Sequence, residues 1–184
     1  MTDKSQILCY IERDVETCAS CDLCLTPGNY VMHRGSLNAS LAFVGEAPGF
    51  HEAEQGIPFV GKSGKLLDKM IEAMGLNRDD VFIANICKHR PPDNRKPTRS
   101  EMDACLPFLE KQLDIVQPKA IVTLGATATE GILGPGPSIT KRRGKWGTYK
   151  DIAVMPTFHP AYCLRNPKSK HEVWEDLQKV MEVI

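Results

Sequence analysis

A chain of 184 residues with 42% hydrophobic and 25% charged content is ordinary for one compact domain, 1–184, long enough to bury a core. Its formal net charge of zero argues against a surface that is basic all over. The opening residues have no apolar signal core, and no stretch approaches the roughly 18 apolar residues of a membrane span, so a cytoplasmic protein without membrane contact is expected.

Charge is distributed unevenly. Residues 138–171 carry Lys141, Arg142, Arg143, Lys145, Lys150, Arg165, Lys168 and Lys170 against Asp151 alone, and residues 88–99 add five basic residues against Asp93. A basic face on a neutral protein suits transient contact with a nucleic-acid backbone, and suits a solvated surface equally well. Seven cysteines, an odd number, point to thiolates serving a metal or cluster rather than to a disulfide framework.

In chain order, residues 5–17 read as a short helix leading into Cys18-Ala19-Ser20-Cys21-Asp22-Leu23-Cys24. CxxC brings two sulfurs within reach of one metal, and zinc, cluster and redox readings all remain open. Residues 29–38 read as loop. The apolar run 41–44 has the length of a buried parallel strand and stops at Gly45. Two glycine-bounded loops follow, 45–49 with the carboxylate of Glu46 and 56–61 with Phe59. A helix is expected next, carrying Leu66, Leu67, Met70, Ile71 and Met74 on one face, with Ser63 as N-cap and Gly75 as stop.

Residues 81–86 form a second apolar, β-rich run ending in Cys87-Lys88-His89-Arg90-Pro91-Pro92, where the prolines forbid regular structure. Thr98-Arg99-Ser100-Glu101 has the form of a capping box, and Met102, Leu106, Leu109 and Leu113 continue a helical face that also carries Cys105. Further strands are expected at 120–124, followed by a short helix, and at 152–156. The order βαβαβαβ predicts an α/β fold of three layers, with a central parallel four-stranded sheet flanked by helices and a ligand site at the carboxyl ends of the strands. The first βα loop carries neither GxGxxG nor GxxxxGK[ST], so a nucleotide cradle is not indicated.

Three blocks carry a specific resemblance: GEAPG at 45–49 with GIPFVGKSGKLL at 56–67, NICKHRPPDNRKP at 85–97, and FHPAYCLRNP at 158–167. In this order, and with the cysteine spacing, they resemble the family 4 uracil-DNA glycosylases, the iron-sulfur branch of that superfamily, over nearly the whole chain. The resemblance implies a monofunctional enzyme that hydrolyses the N-glycosidic bond of uracil in single- or double-stranded DNA and acts as a monomer. It implies a 4Fe-4S cluster held by Cys18, Cys21, Cys105 and a fourth ligand. The family's cysteine directly before RPP is His89 here, so His89 is the expected fourth ligand and Cys87, two residues earlier, the alternative. Imidazole can replace thiolate at iron, as in Rieske centres.

By the same resemblance Glu46 orders the attacking water or steadies the sugar cation, although another branch of the superfamily carries a catalytic aspartate at the position of Ala47. His159 donates to uracil O2 and Asn94 faces the deoxyribose. A related branch has a histidine at the Asn94 position and becomes covalently attached to the abasic sugar, so turnover without trapping is expected here. Asn85, with a donor and an acceptor on one amide, complements uracil O4 and N3–H. Phe59 stacks on the base, Glu52 crowds a 5-methyl group, and the Ala47 backbone lines the pocket. Tyr162, Leu164 and Arg165 follow in a loop that enters the minor groove, and Arg142, Arg143 and Lys145 are then expected at phosphates. Two alternatives stand beside this reading: a noncatalytic iron-sulfur DNA-binding repair protein, and a glycosylase preferring another deaminated base such as hypoxanthine or xanthine.

Overall fold

The computed structural model describes residues 3–184. Four strands form the parallel heart of the sheet: β2 (Leu41–Gly45), β3 (Phe82–Asn85), β4 (Ala120–Leu124) and β6 (Ile152–Thr157). Two short strands, β1 (His33–Gly35) and β5 (Gly147–Tyr149), add antiparallel edges, so the order is β1-β3-β2-β4-β6-β5. The expected parallel core is therefore present within a six-stranded sheet. Both edges are only three residues long, too short for a periodicity to show, which is why residues 29–38 read as loop.

Period-2 alternation sends side chains of the parallel strands to two separate cores. Ala42, Val44, Ile121 and Val154 pack with Met102, Leu109 and Leu113 of α4 (Arg99–Val116) and with Ala128 and Ile132 of α5 (Ala126–Leu133). Leu41, Phe43, Ile83, Val122 and Met155 pack with Leu67 and Ile71 of α3 (Lys62–Ala73) and with Val173, Leu177 and Val180 of α8 (Ser169–Met181). These are the three expected layers. Outside them, α1 (Lys4–Glu16) uses Ile11 and Val15 to cover Ile115 of α4.

Local signals explain several helix ends. Thr98 and Glu101 form the reciprocal capping box that starts α4. Gly75 follows the end of α3 in the left-handed conformation at φ 77°, and the N–H of Leu76 reaches back to Ile71 O. The start of α3 differs from expectation: Gly61 is its N-cap and Ser63 lies inside the first turn. The Glu52 carboxylate has taken over capping of this turn's approach, accepting from the N–H groups of Val60 and Gly61 at 3.2 and 3.1 Å. Glu52 itself sits on α2 (Phe50–Gln55), a short helix between the two glycine loops. The segment after His159 is likewise not a loop but α7 (Pro160–Arg165), begun by a proline at its first position. The remaining helix is α6 (Ile139–Arg142). None of the described helices is long and apolar enough to cross a membrane.

Candidate active site

The carboxyl ends of the parallel strands converge, and the register pairs Gly45 at the end of β2 with Asn85 at the end of β3. There a cavity of about 580 Å³ opens, lined by Glu46, Ala47, Glu52, Phe59, Asn85, Asn94, His159, Tyr162 and Arg165, with Pro48, Gly49, Ser63, Pro91, Arg95 and Ala161 completing the wall. This is the size of a ligand pocket, placed where open α/β sheets bind ligands. Of the residues expected at the pocket, all line this cavity. Among those expected at DNA, Tyr162 and Arg165 do so as well, whereas Leu164 lies beside it, 44% exposed.

Asn85 is 2% exposed, and its Oδ1 is a buried acceptor without a hydrogen-bond partner among the described residues. Leaving such an acceptor unpaired costs about 1–3 kcal/mol, a cost that a bound donor removes. His159 is the N-cap of α7. The backbone N–H of Ala161 donates to its Nδ1 at 3.0 Å, which leaves the ring proton on Nε2. Burial, aided by the nearby Arg165 charge, pushes the imidazole pKa down to about 4, so the ring is neutral at physiological pH. The pocket thus offers an orphan acceptor at Asn85 and a neutral N–H donor at His159.

Phe59 lines the same cavity, its ring stacked on the His159 imidazole with centroids 5.8 Å apart. Its backbone is left-handed at φ 56°, an uncommon state for a bulky residue that surrounding contacts must hold. Arg34 supplies one such contact: its Nη1 donates to Phe59 O at 3.2 Å while Nη2 pairs with Asp68 on α3. Gly64 supplies another, because a Cβ there would collide with the Phe59 backbone. Sequence reasoning missed Arg34, which belongs to none of the motif blocks and gains its role only through the fold.

Asn94 has φ 54° in a tight turn, and its Oδ1 accepts from Arg90 Nε at 2.7 Å. Arg95 is held by Glu101 in a bidentate pair at 2.8 and 2.7 Å, which holds the Glu101 carboxyl down at about 2. The pair ties the pocket rim to the first turn of α4.

Arg143 was expected at phosphate, and the structure corrects this. Its guanidinium is 15% exposed and clamps Asp176 of α8, which is fully buried, with Nη2 to Oδ1 at 2.6 Å and Nε to Oδ2 at 3.0 Å. Asp176 also accepts from Thr157 Oγ1 at 2.6 Å. Arg142 donates to Gly134 O at 2.8 Å. Arg143 therefore serves the fold around β6, for a reason no charge count reveals: the only buried carboxylate of α8 faces it.

The cysteines gather on the other side of the loop that follows β3. Cys87 and Cys105 are buried in one core with Cys21 packed against them. A hydrogen bond between the Cys87 and Cys105 thiols pushes Cys87 up and holds Cys105 down at about 7. Burial raises Cys21, which senses Cys105 and Cys18. The His89 ring packs edge-on against Tyr30 with centroids 6.4 Å apart, and burial lowers its pKa. Among the described residues no three such side chains close around a single ion.

Residues 32–178 match the uracil DNA glycosylase superfamily. The type-4 uracil-DNA glycosylase of Sulfurisphaera tokodaii is 46% identical over 94% of this chain and 83% of its own length. The type-4 enzyme of Thermotoga maritima is 41% identical over 100% and 98%, and that of Archaeoglobus fulgidus 40% identical over 94% and 91%. With a cavity built from all three motif blocks at the strand ends, and likeness that spans the chain from end to end, the protein belongs to the type-4 uracil-DNA glycosylase family.

Proposed function

We infer that this protein excises uracil from DNA, hydrolysing the N-glycosidic bond to leave an abasic site. The observation that carries the reading is that one cavity is lined by the unpartnered Asn85 acceptor, the neutral His159 donor and the Phe59 ring. Uracil presents the complement, with N3–H for Asn85 Oδ1, O4 for the Asn85 amide N–H, and O2 for His159 Nε2–H. Cytosine reverses the pattern at its Watson–Crick edge and would leave the buried amide unpaired, a mismatch that discriminates by orders of magnitude.

The base must leave the stack to reach this pocket, and stacking on Phe59 offsets about 1–3 kcal/mol of that cost. As the glycosidic bond lengthens, negative charge builds on uracil and positive charge on the sugar. His159 Nε2–H meets the first, and being already neutral it donates without acquiring a proton beforehand. Glu46, half-buried on the cavity wall, meets the second and orders a water for attack at the sugar carbon. The water oxygen forms the new bond to that carbon and gives its proton to the Glu46 carboxylate, while the bonding pair leaves with the uracil anion. Asn94 lies at the sugar side as an amide already engaged by Arg90. It cannot form the covalent sugar adduct of a histidine, so the enzyme turns over. Glu52, on the cavity wall, crowds a 5-methyl group while its carboxylate holds the Val60 and Gly61 turn. Exposed Tyr162, Leu164 and Arg165 on α7 face the DNA and occupy the space that the base vacates.

The thiol group fits a 4Fe-4S cluster better with Cys87 than with His89. Cys21, Cys87 and Cys105 share one core, Cys21 feels the charge of Cys18 as well, and the His89 ring packs on Tyr30 instead. Such a cluster, when bound, would staple the segment after α1 to α4 and to the loop beneath the pocket. The enzyme works in the cytoplasm as a monomer, on single- or double-stranded DNA.

Excision from a uracil-containing oligonucleotide tests the reading. Release of free uracil with alkali-labile sites is expected, reduced about 10²- to 10³-fold by His159→Ala. Binding without release would instead favour a noncatalytic repair protein, and faster excision of hypoxanthine or xanthine would reassign the base.

A further inference from the structure

Lys88 is the one lysine of the described residues with no solvent exposure. It stands immediately after Cys87, behind the wall that Asn85 forms. Its Nζ donates to Asn85 O at 2.8 Å and to Gln112 Oε1 of α4 at 2.7 Å. Its own N–H reaches the Cys105 sulfur at 3.2 Å, and its carbonyl accepts from Val31 at 2.8 Å. Gln112 completes the set by donating to Met32 O at 3.3 Å.

Burying an ammonium is expensive, and an apolar residue of the same length would fill this space at lower cost. The contacts show what the charge achieves. Past Asn85 the chain leaves the sheet, so the last carbonyl of β3 needs a partner from elsewhere, and Lys88 provides a charge-assisted one. Through Gln112 that carbonyl is fastened to α4, the helix that carries Cys105. Asn85 therefore keeps its Cα in place, and the unpartnered Oδ1 keeps its aim, because a cation from behind holds the peptide.

We propose that Lys88 is a positioning residue for base recognition, which locks the Asn85 peptide to α4 so that the Asn85 amide is preset for the uracil edge. This rests on the uracil reading of the pocket. A displacement of about 1 Å in a positioned group can cost about 10²-fold in rate, so the expected loss is large although Lys88 touches no substrate.

The test uses Lys88→Met, which keeps the stem and removes the donors, and Gln112→Leu, which frees the far anchor. Folding is checked by circular dichroism, and iron content is matched to the unmodified protein. Each protein is titrated with free uracil and, separately, with an abasic-site oligonucleotide, and its kcat and KM on uracil-containing DNA are measured. Lys88→Met should weaken free uracil at least 10-fold and leave abasic-site binding within about 2-fold. Gln112→Leu should weaken uracil about 3-fold or more. A folded Lys88→Met protein with unchanged uracil affinity overturns the proposal, as does a parallel loss of uracil and abasic-site binding, the mark of a merely structural lysine. Should Lys88→Met fail to fold, Gln112→Leu decides by the same two criteria. Failure of the unmodified protein to bind or release uracil would refute the pocket reading instead, before any variant is compared.

Discussion

Gly45 and Asn85 are register partners at the ends of β2 and β3, and they approach so closely that no side chain fits between them. A Cβ on Gly45 would lie 2.6 Å from Cζ of Phe59 and closer still to Asn85 Oδ1. The glycine is there to let the stacking ring and the recognition amide meet. Gly45→Ala should therefore fold, since the clash falls on pocket side chains, yet lose at least 10-fold in kcat/KM through a higher KM. A crystal or NMR structure of the variant should find Phe59 or Asn85 displaced, and unchanged kinetics would remove this account of the pocket.

The pH dependence follows from His159. A free imidazole titrates near 6.5, whereas burial holds this one down at about 4. His159 stays a neutral donor through the range where an exposed histidine would gain charge, so the kcat profile should show no His159 limb near 6.5. For stability the sign is the opposite of a paired histidine. The unfolded chain takes up a proton below about 6.5 that the folded chain refuses until about 4, so His159 destabilises the fold progressively as pH falls between those values. His33, also held down at about 4 by burial and by Lys88, adds to the same loss. Thermal melts across this window should show Tm falling toward acid, with the slope reduced in His159→Gln.

Cluster ligation can be separated residue by residue. Anaerobically purified protein should be brown and carry iron and sulfide. Cys87→Ala should lose the visible absorption and the iron, and His89→Ala should keep both. The opposite outcome would return the fourth position to His89.

Arg143 and Arg165 should behave differently although both belong to the basic stretch 138–171. Arg143→Ala leaves Asp176 buried without its cation, and breaking such a pair costs about 3–5 kcal/mol. Its effect should appear in the melting temperature, with the salt dependence of DNA binding unchanged in the protein that remains folded. Arg165→Ala should leave stability within about 0.5 kcal/mol and lower the slope of log affinity against log salt by about one. Equal salt slopes in the Arg165 variant and the unmodified protein would deny it a phosphate.

Much of this molecule was legible without coordinates. The four parallel strands announce themselves as short apolar runs because they are buried on both faces, and the capping box of α4 stands in four consecutive residues. Glu46, Phe59, Asn85 and His159 were legible because each lies within a motif block at the end of a strand or in the loop that follows it. The edge strands β1 and β5 were not, since three residues carry no period. Nor were the partnerships between distant residues: Arg34 beneath Phe59, Asp176 claiming Arg143, Lys88 behind Asn85, and Cys87 beside Cys105. A sequence shows which groups carry charge, sulfur or a ring. Which of them is desolvated, and against what, is settled only when elements far apart in the chain pack together, and burial then decides whether a basic residue faces DNA or braces the fold.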